Sequence, residues 1–152
     1  MAVRKASMGD VGEIARNNVI LAIESENTEI EYEKTLKGVA AVIEDERKGF
    51  YLVAEEGGGI VGQLMVTYEW SDWRGADIWW LQSVYVRKEW RRKGVMKALV
   101  DEVKRMALKK GVCSLHLYVH HHNENAIRAY EKIGMKKLPY HIFSEDLQEP
   151  KG

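Results

Sequence analysis

One cysteine, Cys113, and two prolines are all that the 152 residues contain of either type. A single thiol cannot close an intrachain disulfide, so cysteine usage gives no sign of an oxidising compartment. Cys113 stands just before the apolar series Leu115, Leu117, Val119 and reads as a buried thiol rather than a nucleophile. Long hydrophobic runs are missing as well. No stretch approaches the roughly 20 apolar residues needed to cross a bilayer, and Met1-Ala2-Val3-Arg4-Lys5 lacks the apolar core of a signal peptide. The expectation is a cytoplasmic protein with no membrane partner. Net charge is absent too, since 23 basic residues balance 23 acidic ones. Bulk electrostatic affinity for nucleic acid requires an excess of cations, so a nucleic-acid partner is not expected.

What the chain does have is a globular composition, 45% apolar and 30% charged. Its length suits one domain over 1–152, able to bury about 68–70% of the unfolded chain's surface. No repeat or low-complexity linker interrupts it. Ala2 to Ala6 reads as a short strand. Ser7 to Asp10 supplies cap candidates for a helix whose stripe runs through Val11, Ile14, Ala15, Asn18, Val19 and Ala22. A second helix covers Tyr32 to Arg47, after the polar link Glu24 to Glu31. Phe50 to Ala54 and Ile60 to Tyr68 are strands around the turn Glu55-Glu56-Gly57-Gly58-Gly59. Glu69 to Ala76 reads as a loop, and Asp77 to Val86 as a largely apolar strand. Gly94 to Lys110 is a helix stopped by Gly111. Cys113 to His120 is a strand, Asn123 to Ile133 a helix, and Pro139 to Ser144 an edge strand. This order implies an α+β fold, an α/β sandwich with a mixed, mostly antiparallel central sheet flanked by helices. A parallel crossover links Asp77 to Val119.

The most informative stretch runs from Val84 to Leu99. A strand ends at Val84-Tyr85-Val86, a cationic turn follows, and Gly94 opens a helix. A helix N-terminus offers orphan N–H donors and about half a positive charge. With Arg91, Arg92 and Lys93 beside it, that end suits a phosphate-bearing ligand. Read alone, the same turn serves equally as a solvated basic loop whose glycine starts a helix.

The pattern Arg91-x-x-Gly94-x-Met96 after a Val-Tyr-Val strand end resembles the acetyl-CoA signature of the GNAT superfamily of N-acetyltransferases. Met96 departs from the small residue usual at the last position. Downstream, Asn123-Glu124-Asn125-Ala126-Ile127-Arg128-Ala129-Tyr130-Glu131-Lys132-Ile133-Gly134-Met135 resembles that family's closing segment, with Met135 in place of the usual Phe. The resemblance implies a sheet with splayed central strands and a β-bulge beside the gap. It implies acetyl-CoA as acetyl donor, its pantetheine arm against the backbone of Val84, Tyr85 and Val86. Its pyrophosphate would lie on Arg91, Arg92, Lys93, Gly94, Val95, Met96 and Lys97. Asn123 and Asn125 would hydrogen-bond the arm and Ala126 would pack on it, although Asn123 also reads simply as a helix cap.

By the same resemblance Tyr130 is the catalytic residue. A phenol with a pKa near 10 stays protonated at neutral pH and can protonate the departing thiolate. Some members of the superfamily place a glutamate early in the central strand, where this chain has Trp80. Gln82 or Ser83 holding a water, or Glu69, Asp72 or Asp77 from the flanking loop, are the remaining candidates for accepting the amine's proton. A backbone N–H near Val84 or Tyr85 would stabilise the oxyanion. Trp70, Trp73, Trp79 and Trp80, with interspersed acids, suit a pocket for a cationic amine or, equally, a dimer surface or ordinary packing. The acceptor expected is a small-molecule or peptide amine, and a homodimer is a family-level expectation. His116 and the run His120-His121-His122 lack the spacing of a zinc site, so no metal is expected. The rival reading is a non-catalytic acyl-CoA-binding sensor or interaction module on the same fold.

Overall fold

The computed structural model describes residues 1–148; residues 149–152, the end of the expected single domain, lie outside the described residues. The elements are β1 (Ala2–Lys5), α1 (Val11–Glu26), α2 (Tyr32–Glu44), β2 (Phe50–Glu56), β3 (Gly59–Ser71), β4 (Ala76–Val86), α3 (Val95–Lys109), β5 (Ser114–Leu117) and α4 (Glu124–Lys132). The strands form one sheet in the order β1-β2-β3-β4-β5. Every neighbouring pair is antiparallel except β4–β5, which is parallel. This is the α+β sandwich with a mixed, mostly antiparallel sheet that the element order implies.

Local chemistry accounts for most of the boundaries. Gly57 and Gly58 take φ of 59° and 82°, the positive values a tight turn between β2 and β3 requires. Asn27 closes α1 in the left-handed region, its N–H reaching Ala22 O and Ile23 O. In α3 the buried residues Val95, Leu99, Val100, Val103 and Ala107 recur on one face at helical spacing. That face packs on Leu52, Leu64, Val66, Trp79 and Leu81 of the sheet. On the other face, Val11, Ile14 and Ala15 of α1 and Val39 of α2 cover Tyr51, Val53 and Ile60.

Three expectations need correction. The loop over Glu69 to Ala76 shrinks to a turn over 72–75, because β3 and β4 keep pairing through Tyr68↔Trp79, Glu69↔Ile78 and Trp70↔Asp77. Gly75, at φ 62°, closes the turn with its N–H on Ser71 O at 2.8 Å. Pro139 to Ser144 forms no strand. Pro139 has no N–H to give a ladder, and Tyr140, Ile142 and Phe143 stay exposed with no strand alongside. Cys113 to His120 is a strand only over Ser114–Leu117, and Cys113 is half-buried rather than buried. None of the described helices is long and apolar enough to cross a membrane.

Candidate active site

The parallel β4–β5 ladder runs from Ile78↔Ser114 to Leu81↔Leu117 and stops there, although β4 continues to Val86. The register between β3 and β4 shifts over the same stretch, passing from Gln63↔Tyr85 to Met65↔Gln82. The extra residue lies on β4, where Ser83 takes φ of 51°. A bulge of this kind bends its strand away from its neighbour. The result is the splay and the bulge that the family resemblance implies. The gap opens into a cavity of about 450 Å³. Gln82, Ser83 and Val84 form one wall; Tyr118, Val119 and His120 face them; Asn18 and Ala22 of α1 and Ala126 and Tyr130 of α4 close the space.

Beyond β4 a 3₁₀ turn over Lys88–Trp90 leads to the cationic turn. Arg92 and Gly94 take φ of 61° and 81°, so left-handed residues alternate along it. Such alternation turns successive N–H groups toward one side and makes an anion-binding concavity. The first internal bond of the helix is Ala98 N–H to Gly94 O at 3.0 Å. Among the described residues no hydrogen bond engages the backbone N–H of residues 92–97. Gly62 seats this helix start: a Cβ there would come within 2.6 Å of Val95 Cγ1. Arg91 is differently employed. Its Nε donates to Val86 O at 2.9 Å, its terminal nitrogen pairs with Glu24 at 2.6 Å, and its guanidinium lies 5.7 Å from the Tyr85 ring. The side chain of Arg91 therefore ties the turn to β4 and α1, leaving Arg92 and Lys93 as the exposed cations.

The remaining sequence candidates separate. Val84 and Val86 pack their side chains on the α3 core, and Tyr85 is buried. Tyr130 is half-buried against the cavity, and desolvation pushes its phenol up to about 12. Asn123 caps α4, its Oδ1 accepting from Ala126 N–H at 3.2 Å, which leaves its Nδ2 protons free of that bond. Asn125 is exposed and accepts from Arg128 at 2.9 Å, away from the cavity. Gln82 donates to Thr67 Oγ1 at 2.6 Å and reaches the cavity together with Ser83. The acids do not. Glu69 accepts the indole N–H of Trp80 at 2.9 Å, Asp72 is exposed on the hairpin turn, and Asp77 lines a separate cavity of about 250 Å³ beside Lys5 and Trp79. The tryptophans also disperse, because neighbouring strand residues face opposite ways. Trp79 is buried against Phe50, Trp73 is 95% exposed, and Trp80 packs tilted against Tyr118 at 4.5 Å and edge-to-face with His116 at 5.1 Å. Among the described residues no three His, Cys, Asp or Glu side chains are grouped to hold a metal.

Sequence reasoning missed four residues behind the bulge. Asn17 and Asn18 of α1 and Gln63 of β3 are buried polar side chains, Gln63 completely. Asn17 Nδ2 donates to Gln63 Oε1 at 2.9 Å, Gln63 Nε2 to Asn18 Oδ1 at 2.8 Å, and Asn18 Nδ2 to the Tyr51 hydroxyl at 3.2 Å. The available signal was a pair of amides inside the apolar stripe of α1 and a lone amide in an otherwise apolar strand.

An antiparallel sheet with one splayed parallel edge, a bulge at the splay and a bare helix start beside it is the α+β arrangement that the family resemblance implies. The comparisons narrow this. Residues 18–135 match the family described as "Acetyltransferase (GNAT) family", and the chain belongs to that family. It is 32% identical to thialysine N-epsilon-acetyltransferase of Bos taurus, over 90% of this chain and 84% of that enzyme. The structure of a possible acetyltransferase from Clostridium difficile 630 superposes with a TM-score of 0.89 at 40% identity, covering 97% of this chain and 98% of that one. A ribosomal-protein-alanine N-acetyltransferase from Brucella melitensis biovar Abortus 2308 shares the fold at a TM-score of 0.76 and 19% identity, over 96% and 98% of the two chains. The protein is thus an acyltransferase.

Proposed function

We propose that the protein transfers the acetyl group of acetyl-CoA to a primary amine by direct attack in a ternary complex. The observation that carries this reading is the run of unengaged N–H groups over 92–97, set at the end of the strand that forms one wall of the cavity. A pyrophosphate fits that run: the N–H groups donate, Arg92 and Lys93 add charge, and Gly94 keeps the approach free of a side chain. Arg91, already paired with Glu24 and Val86 O, serves by holding the turn. The stretch of β4 beyond Leu81, unpaired on its β5 side, suits an extended pantetheine arm. Ala126 borders that path, and Asn123 can donate from Nδ2 while its Oδ1 caps α4. Asn125, turned to Arg128, takes no part.

Acetyl-CoA, when bound, supplies the activated thioester acetyl. The residues then divide the work. Gln82 and Ser83 hold the acceptor nitrogen or a water beside it; neither is a base, so the proton passes to solvent or to Glu26, which lines the same cavity. Tyr130 stays a neutral phenol far above neutral pH and can give its proton to the leaving sulfur. The acceptor meets Tyr118, which lines the cavity and packs against Trp80, an aromatic surface suited to a protonated amine. The bovine relative's name specifies an N-epsilon amine acceptor, which favours a lysine-like primary amine. We place this reaction in the cytoplasm.

Thiol release from acetyl-CoA across a panel of amines, thialysine included, tests the reading. The expected result is release with at least one primary amine. Tyr130→Phe should lower kcat by about 10²–10⁴-fold and leave CoA binding within a few-fold. Tight acetyl-CoA binding with no release on any amine would instead establish the sensor.

A further inference from the structure

The second cavity, of about 250 Å³, lies at the other end of β4 from the bulge, against the C-terminal end of α3. Strand alternation builds its floor. Tyr68 stands opposite Trp79 and Trp70 opposite Asp77, so Asp77 and Trp79, two residues apart on β4, share one face. There Phe50 meets the Trp79 ring edge-on at 5.4 Å, and Tyr68 lies 5.9 Å from it. Part of the polar rim is satisfied internally. Lys5 pairs with Glu46 at 2.9 Å and stands 5.1 Å from the Phe50 ring, and the Tyr68 hydroxyl donates to Glu46 O at 3.0 Å. Three groups remain. Trp79 is only 3% exposed, yet among the described residues no hydrogen bond takes its indole N–H. No fully buried side-chain polar atom among them lacks a partner, so that N–H reaches the cavity Trp79 lines. Asp77 and Lys110 line it too, and among the described residues neither has an ion-pair partner, including each other. Their backbones are fixed: Asp77 O accepts Cys113 N–H at 2.9 Å, and Lys110 N–H donates to Ala107 O at 3.1 Å.

We propose that this cavity is a second ligand site, distinct from the acetyl-transfer cavity, and that it takes a small zwitterion: a free α-amino acid with an apolar side chain. What the cavity leaves unused is one carboxylate, one ammonium and one neutral donor over an aromatic floor. A buried indole N–H ordinarily finds an acceptor, and a ligand carboxylate supplies one while also meeting Lys110. The ligand's ammonium meets Asp77, and its apolar side chain lies against Phe50 and Met106. Asp77 and Lys110 are too far apart to pair directly, so a molecule carrying both charges bridges them with charge-assisted hydrogen bonds at each end. A simple amine leaves Lys110 and the indole unmatched, and a simple carboxylate leaves Asp77 unmatched, so neither half suffices. The volume agrees: at roughly 30 Å³ per water it holds about eight waters, close to the non-hydrogen atoms of an aliphatic amino acid. Neither Asp77 nor Lys110 borders the first cavity, so the proposal stands independently of the acetyl-transfer reading.

The test follows the Trp79 indole N–H resonance of the 15N-labelled full chain during titration with L-leucine, without acetyl-CoA. Two comparators each lack one charged group of leucine: 4-methylpentanoate has no ammonium and isoamylamine no carboxylate. L-Leucine is expected to shift the Trp79 resonance saturably, and each comparator to bind at least about 10-fold more weakly. Asp77→Asn and Lys110→Gln are each expected to weaken leucine binding by about 10-fold. Both side chains lie at the surface, outside the apolar core, so the melting temperature should stay within a few degrees of wild type. Three results would overturn the proposal: no Trp79 shift with leucine up to about 10 mM, a comparator that binds as well as leucine, or wild-type affinity in both variants. A Trp79 shift that follows protein concentration in the absence of leucine would also overturn it, by showing that a second copy of the chain covers this face. Each of these results leaves acetyl transfer untouched, and an absence of thiol release with every amine would leave this site standing.

Discussion

The two faces of the sheet are built on different principles. Against α3 the sheet offers Leu52, Leu64, Val66, Trp79 and Leu81, an apolar layer throughout. Against α1 it offers apolar residues too, but Gln63 and Tyr51 are there joined to Asn17 and Asn18 by hydrogen bonds. Apolar packing is non-directional and suits the seating of a whole helix, with its bare N-terminus, at a fixed height. Amide hydrogen bonds have direction and suit the aiming of a single side chain. The α3 face thus carries the proposed donor cradle, and the α1 face reaches the bulge where chemistry is proposed.

Changes on each face test this contrast. Leu99→Ala, at a fully buried position of α3, should have the largest effect, a loss of about 2–5 kcal/mol measured by chemical denaturation. Gln63→Met keeps the volume but strands the Asn17 and Asn18 amides, and should cost about 1–3 kcal/mol. A Gln63→Met variant as stable as wild type would remove the structural reason for the amide chain. A smaller effect appears with pH. Burial holds the Tyr130 phenol neutral, with its pKa near 12 against about 10 unfolded. Its contribution to folding is complete below pH 10 and declines as pH rises from 10 through 12, because the unfolded chain releases the proton first. Unfolding at pH 9 and pH 11.5 should show a decline in wild type that is smaller in Tyr130→Phe. The smallest effect on stability is expected from Glu24→Gln. The Glu24–Arg91 pair is substantially exposed, so less than about 1 kcal/mol should be lost. CoA affinity should nonetheless weaken several-fold as the turn loosens, and titration with CoA that finds no change would detach this ion pair from the proposed cradle.

Much of this architecture was legible in the chain. The order of elements, the α3 stripe and the glycine opening that helix follow from periodicity and turn chemistry, which are local properties. The splay at β4 was legible only through the resemblance carried by Arg91 to Met96 and Asn123 to Met135. Other features depended on partners far along the chain. Arg91 looked like a phosphate ligand because its neighbours are cationic, and its bond to Glu24, distant in sequence, turned it into a strut. Asp77 and Glu69 looked like loop acids near an acceptor, and strand pairing carried one to another cavity and set the other on Trp80. Asn123 kept both of its readings, since a capping Oδ1 and a donating Nδ2 can coexist on one amide.

The sequence by itself determined the class of fold and the position of a cationic turn at a helix start, because hydrophobic period, glycine placement and local charge act over a few residues. Only the tertiary structure decided which side chains face the cavity. Strand register and the bulge at Ser83 set which way each β4 residue points, and the amides of α1 meet Gln63 and Tyr51 only once the helix has packed on the sheet.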